Sequence, residues 1–287
     1  MSSTSIMLFG SVARGDNSEN SDIDYLVVSD KAEASIKCDL PNASTSKYTW
    51  VEFNELVDKK MLFIQHLKQE GVILSDEGKR LEKLFTSFSP KSSYRKDFDE
   101  TQSLLKLLSV IPEQNHSRLW YSDVLFVIFR NLMITHLADQ GKYIFSPKTL
   151  ASSFGAEVWQ MMKVIREAKH AYRQRKPHNC PSYDFIMKTI NTATAALSIE
   201  FKPSKGSDDQ FVSNLTNLTA TGTPWYRRVR AAEGLLSHTY GGNIPSDVWS
   251  KHKNIITNQI GYRSFSSHFK RDEAIFQIVE DALCISL

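Results

Sequence analysis

Leu8-Phe9-Gly10-Ser11-Val12-Ala13-Arg14-Gly15-Asp16 is followed closely by Ser21-Asp22-Ile23-Asp24-Tyr25-Leu26-Val27-Val28, and these two runs together decide how the chain reads. A short apolar strand empties into a Gly-Ser turn, and a second apolar strand opens with two carboxylates one residue apart. Strand side chains alternate between faces, so Asp22 and Asp24 project to one side and Ile23 and Tyr25 to the other. Two carboxylates held that close repel unless a cation sits between them. Hard oxygen ligands of this kind suit Mg²⁺, with Mn²⁺ the alternative, and Mg²⁺ favours a couple of carboxylates plus the phosphates of a substrate. Glycine lets backbone approach a polyphosphate, and amides at a helix start attract anions. Either feature alone is ordinary. In this order and at this spacing they predict a site for a metal-bound polyphosphate.

Outward from that segment, the 287-residue chain is long enough for two domains with ample cores. Its formal charge of +3 is too small by itself to argue for nucleic acid. Cys38, Cys180 and Cys284 are scattered, which suggests neither a zinc site nor a disulfide framework. No basic-then-apolar leader is seen, and no apolar stretch approaches the roughly 20 residues needed to span a bilayer. A cytoplasmic enzyme with no membrane partner is expected.

The expected fold class is α+β, an N-terminal α/β domain with a small mixed sheet followed by a C-terminal helical bundle. Residues 1–88 form the first domain, 98–201 the bundle and 211–287 a helical extension, with polar linkers at Ser87–Asp97 and Lys202–Gln210. Apolar periodicity predicts helices over Asp99–Val110, Tyr121–Gln140, Glu157–Arg173 and Tyr183–Ile199, and a short one opening at Ser146-Pro147. Three more are expected near Trp225–His238, Ser246–Ile260 and Lys270–Ile285. Thr49-Trp50-Val51-Glu52 reads as a capping box. The helix it opens is expected to run through Phe53, Leu56, Val57, Phe63, Ile64 and Leu67 to a stop at Gly71.

Gly10-Ser11-Val12-Ala13-Arg14-Gly15-Asp16 with Ser21-Asp22-Ile23-Asp24 resembles the signature of the polymerase-β-type nucleotidyltransferases. The likeness is to the compact branch that includes minimal nucleotidyltransferases, aminoglycoside adenylyltransferases and antiphage enzymes of the Hailong type. It continues more loosely through Glu70-Gly71 into the helical half. The resemblance implies transfer of a nucleoside monophosphate from an NTP or dNTP to an acceptor hydroxyl, with release of pyrophosphate. It implies that Gly10 and Ser11 hold the phosphates and that Asp22 and Asp24 are catalytic ligands of Mg²⁺. Arg14 either contacts a phosphate or forms a surface salt bridge. Members of the superfamily usually carry a third carboxylate on a neighbouring strand. The candidates here are Asp39 and Glu52; the capping box gives Glu52 a structural role, so Asp39 is the better assignment. Ala43–Tyr48 is the other candidate strand, and it contains no acid.

Lys163, Arg166, Lys169, His170, Arg173, Arg175 and Lys176 form the densest basic stretch, and Arg166, Lys169, His170 and Arg173 share one helical face. That face is either solvated or directed at a triphosphate or polyanionic acceptor, in which case Lys169 and Arg173 bind nucleotide and Tyr172 could stack on a base. Trp225-Tyr226-Arg227-Arg228-Val229-Arg230 repeats the aromatic-plus-arginine theme. Two such faces suit a nucleotide or oligonucleotide acceptor, as in antiphage synthesis of a nucleic-acid oligomer, better than a polycationic aminoglycoside. The alternatives are an aminoglycoside-type small-molecule adenylyltransferase, transfer to an operon-encoded partner protein or tRNA in a toxin–antitoxin system, and a degenerate nucleotide-binding module. Arg130-Asn131 with His136 resembles the motif of a helical ribonuclease fold, but six residues lie off a common helix face. Arg130 is therefore expected to salt-bridge or face the cleft, and His136 to pack. His66 is likewise expected to pack, and Gly78-Lys79-Arg80 lacks the other residues of a P-loop.

Overall fold

A computed structural model of the chain describes residues 4–17, 22–30, 43–174, 179–241, 243–256 and 268–283. The chain divides into two compact units, one of Met1–Tyr94 with Leu137–Ser146 and one of Arg95–His136 with Pro147–Leu287. The first is α/β and the second mostly helical, so the fold class is α+β.

The first unit is built on a mixed sheet of β1 (Thr4–Phe9), β2 (Ile23–Ser29), β3 (Ala43–Thr49) and β4 (Val72–Asp76), in the order β3-β2-β1-β4. β1 runs antiparallel to β2 and β4, whereas β2 and β3 are parallel. Alternation along β1 turns Ser5, Met7 and Phe9 inward. Met7 and Phe9 join Leu26, Val28, Trp50, Phe53, Ile64, Leu67, Leu81 and Phe85 in one core. The helices that cover this core are α2 (Trp50–Asp58), α3 (Leu62–Glu70) and α4 (Arg80–Ser87). α1 (Gly10–Arg14) is the short helix after β1.

The capping box at Thr49 is present. Thr49 Oγ1 accepts from Glu52 N at 3.2 Å, and Glu52 Oε2 accepts from Thr49 N at 2.8 Å. The single helix expected from there to Gly71 is instead two, α2 and α3. The break is a paired C-terminal cap: Lys60 N donates to Val57 O at 2.9 Å and Met61 N to Leu56 O at 3.1 Å. Its left-handed residue, at φ 49, is Lys60, so no glycine marks it in the sequence. β4 was not anticipated. Val72 and Leu74 are about half exposed on this edge strand, which pairs irregularly with β1.

The second unit contains α5 (Arg95–Gln102), α6 (Asn115–Asp139) up to His136, α7 (Pro147–Ser152), α8 (Ala156–Gln174), α9 (Tyr183–Leu197), α10 (Asp208–Leu218), α11 (Trp225–Tyr240), α12 (Ser246–Ile256) and α13 (His268–Leu283). The expected helix over Asp99–Val110 is α5 followed by a 3₁₀ segment at Ser103–Leu108. The expected linker at 202–210 is only partly a linker, because it holds β6 (Ser204–Lys205), paired with β5 (Val110–Ile111), and the start of α10. Ser207 and Gln210 form a capping box there. α6 is apolar on nearly every side, with Trp120, Tyr121, Leu125, Phe129, Leu132 and Met133 fully buried, as a central helix requires. α11 lies close to it: a methyl on Gly234 would come within 2.8 Å of the Trp120 ring and 2.6 Å of Leu215. No described helix is long and apolar enough to cross a membrane.

Candidate active site

The register of β1 on β2 builds the centre of the site. Phe9 pairs directly with Asp24, so the residue after Phe9, Gly10, falls beside the Asp24 carboxylate. Gly10 has φ +78, and a Cβ there would lie 2.4 Å from Asp24 Oδ2. Only glycine permits both that backbone and that approach. Ser11 follows in the first turn of α1, and Phe9, at its N-cap, offers no side-chain acceptor to the first amides. Asp22 is exposed just before β2 begins.

The two acids fit a hard divalent cation. The donors are carboxylate oxygens, and the absent side chain at Gly10 leaves Asp24 against the turn where a polyphosphate would lie. Among the described residues no group of three or more His, Cys, Asp or Glu that could hold a metal is formed. Asp39 lies outside the described residues. Glu52 is not the third acid: in the parallel β2–β3 pair Asp24 faces Ser44 and Ser29 faces Thr49. That places the Glu52 cap past the far end of the strand, about 17 Å along it at strand rise. β3 itself carries no acid.

Arg14 is ion-paired. Its Nη1 is 2.6 Å from Glu70 Oε2 and its Nε 3.1 Å from Asp16 Oδ1. Burial works against the Arg14 charge, but Glu70 and Asp16 raise its pKa above the ordinary value. Burial likewise pushes Glu70 up, yet His66 and Arg14 hold its carboxyl below the usual range. His66 Nε2 lies 2.9 Å from Glu70 Oε2, and its ring stacks on Phe145 at 4.6 Å. His66 thus packs, as expected, although its pairing with Glu70 one helical turn away was not foreseen. The i,i+4 spacing of the two was the available signal.

Lys169 and Arg173 lie on α8 in the second unit. Arg173 pairs with Asp123 of α6, whose carboxylate also takes Arg230 of α11, and Arg230 in turn binds Glu233. Tyr172 donates to Glu233 at 3.0 Å, so its hydroxyl is engaged within the protein. Asp123 is fully buried. Burial pushes its pKa up, but Arg230 and Arg173 bring it down to about 2. Lys169 is lowered to about 8 by burial, partly relieved by Asp123, with Arg130, Arg173 and Arg166 adding repulsion. Its ammonium lies 5.2 Å from the Phe126 ring.

The second basic face is corrected. Arg227, Arg228 and Arg230 of α11 are buried and turned into the protein. Arg227 donates to Ser103 O at 2.9 Å, Arg228 to Thr219 O at 2.8 Å and to Asp272, and Arg230 to Asp123 and Glu233. They bind the bundle together and present no cationic surface. His136 packs against Phe98 and Phe154, at ring separations of 6.0 and 5.6 Å. The buried acid Asp123 was overlooked, although it is the one acid between Trp120 and Ala138 of an apolar run.

Residues 2–105, which hold the mixed sheet and the Gly-Ser turn, match the family model of the nucleotidyltransferase domain of the polymerase-β-like superfamily, and that domain supports a nucleotidyltransferase enzyme. No curated protein matches the chain, and no solved structure does.

Proposed function

We propose that this chain is a divalent-metal-dependent enzyme that joins a nucleoside monophosphate from an NTP or dNTP to the hydroxyl of a nucleotide or oligonucleotide. The observation that carries the reading is the contact of Gly10 with Asp24, which sets a backbone turn for phosphates beside a carboxylate for a cation. Asp22 and Asp24 would hold Mg²⁺, or Mn²⁺, which when bound neutralises charge on the transferring phosphate and on the leaving pyrophosphate. The backbone at Gly10 and the hydroxyl of Ser11 hold the triphosphate tail in line, as preorganised donors do in phosphoryl transfer. The acceptor oxygen bonds to the α-phosphorus, the bond from that phosphorus to the bridging oxygen breaks, and pyrophosphate departs with the electron pair. The acceptor proton passes to a base, for which Asp39 remains the proposed residue.

A nucleotide acceptor is supported by the basic side chains along α8, among them Lys163, Arg166, Lys169 and Arg173, of which Arg173 is already paired with Asp123. Positive charge there suits an anionic acceptor better than a polycationic drug. Oligomer synthesis in antiphage signalling is the role that this acceptor suits, by the resemblance described above. The test is incubation of the purified protein with each labelled NTP and dNTP and Mg²⁺. Self-primed ladders are expected. Product formed only with an added drug, protein or tRNA refutes the acceptor assignment, and nucleotide binding without turnover under all conditions refutes the enzyme.

A further inference from the structure

α1 is only five residues long and leaves β1 through a left-handed glycine, so it has little intrinsic hold on its own position. Its last residue, Arg14, supplies that hold through Glu70 and Asp16. Glu70 is nearly buried at the end of α3, with His66 one turn before it. The His66 ring lies between Phe145, stacked at 4.6 Å, and Phe9, edge-on at 6.0 Å. Phe9 is the residue that pairs with Asp24 and precedes Gly10. A third segment closes the ring: Ser146 Oγ donates to Asp16 Oδ2 at 2.7 Å, and Gln69 Nε2 donates to Tyr143 O at 3.1 Å. Three stretches of the first unit therefore converge behind the Gly-Ser turn.

We propose that Glu70 is a positioning residue for triphosphate binding, with Arg14 as a strut that ties the Gly10–Ser11 turn to α3 and not as a phosphate ligand. This rests on the reading of that turn as the triphosphate cradle. The bonds from Arg14 to Glu70 and Asp16 are charge-assisted and aim its fork at the domain. The two roles of Arg14 predict opposite signs. If Arg14 is a strut, Glu70→Gln loosens the turn and weakens triphosphate binding. If Arg14 is a phosphate ligand, the same change frees a competing partner and strengthens it.

The experiment is calorimetric binding of Mg²⁺ with inorganic tripolyphosphate to the full chain, a probe that needs neither base nor acceptor. Glu70→Gln and Arg14→Lys are each expected to weaken binding about tenfold, the scale of a slightly misplaced binding group. The double variant should be no weaker than either single, because both remove one shared connection. Glu82→Gln is the control of equal charge change, since Glu82 pairs with Lys79 on the exposed surface. Asp16→Asn removes the other carboxylate partner of Arg14, predicts the same opposite signs for the two roles, and carries the test where Glu70→Gln fails to give a wild-type circular dichroism spectrum. Unchanged or tighter binding by Glu70→Gln overturns the proposal, as do additive losses in the double variant. If the wild type binds no tripolyphosphate, or Asp24→Asn binds it as well as the wild type, the cradle reading fails and the strut with it.

Discussion

Replacing Gly10 by alanine adds one methyl group at the point on which the site depends. Two effects separate cleanly. The first is backbone strain: φ is +78, and a left-handed conformation costs a residue with a Cβ about 1–2 kcal/mol. The second is collision: the new Cβ lies 2.4 Å from Asp24 Oδ2, with Asp24 Cγ at 3.3 Å and Cβ at 3.4 Å. An ordinary contact requires the oxygen to withdraw by about 1 Å. Turning the carboxylate alone does not clear the methyl, because the next two Asp24 atoms are already tight against it. A displacement of that size in a positioned group lowers turnover about a hundredfold. Gly15→Ala isolates the strain, since Gly15 has φ +74 but an added Cβ would meet nothing within 4 Å. The measurements are pyrophosphate release, with the nucleotide and acceptor found by labelling, and thermal melting. Both variants should melt a few degrees below wild type, while only Gly10→Ala loses turnover. Equal activity in the two variants would refute the claim that the Gly10–Asp24 approach builds the site.

Other outcomes follow from the same geometry. Asp22→Asn and Asp24→Asn should each abolish pyrophosphate release with an unchanged circular dichroism spectrum, and full activity in either removes it from the mechanism. Asp123→Ala should lower stability by about 3–5 kcal/mol in urea unfolding, because it leaves the buried Arg230 without one of its two carboxylates. The Asp123 pKa falls from 3.8 unfolded to about 2 folded. Its contribution is therefore present above pH 4 and lost as pH falls toward 2, a loss of stability that Asp123→Asn should lack. For Lys169 the sign is reversed: with 10.5 unfolded and about 8 folded, the unfolded chain holds more protons between those values. Stability then rises with pH from 8 to 10.5. Lys169→Met should remove that rise and melt above wild type at pH 7; a lower melting point would show that the ammonium is stabilising.

Much of the fold was legible because it rests on local chemistry. The capping box at Thr49 and Glu52 satisfies helix amides within four residues, and the apolar run Ile6–Phe9 marks a strand, although only the structure shows that Met7 and Phe9 take its buried face. The helices from Pro147 to Leu197 follow from apolar periods that any packing partner would use. The break at Lys60 was not legible, since a lysine took the left-handed position that glycine usually marks. β4 was hidden for a related reason. An exposed edge strand as short as Val72–Asp76 shows no alternation between buried and open faces.

The amino-acid order alone determined that a Gly-Ser bend precedes two acids one residue apart. The expectation that strand alternation sends both to one face does not carry over, because β2 begins at Ile23 and Asp22 lies just before it. Nor could that order say where charges a hundred residues apart would meet. Arg227, Arg228 and Arg230 look like a cationic face in one dimension, and only the folded bundle turns them inward. Arg230 meets Asp123, 107 positions away, in a buried pocket. Burying a charge is tolerable only beside an opposite one, so which arginines remain for a ligand is decided by packing and not by spacing.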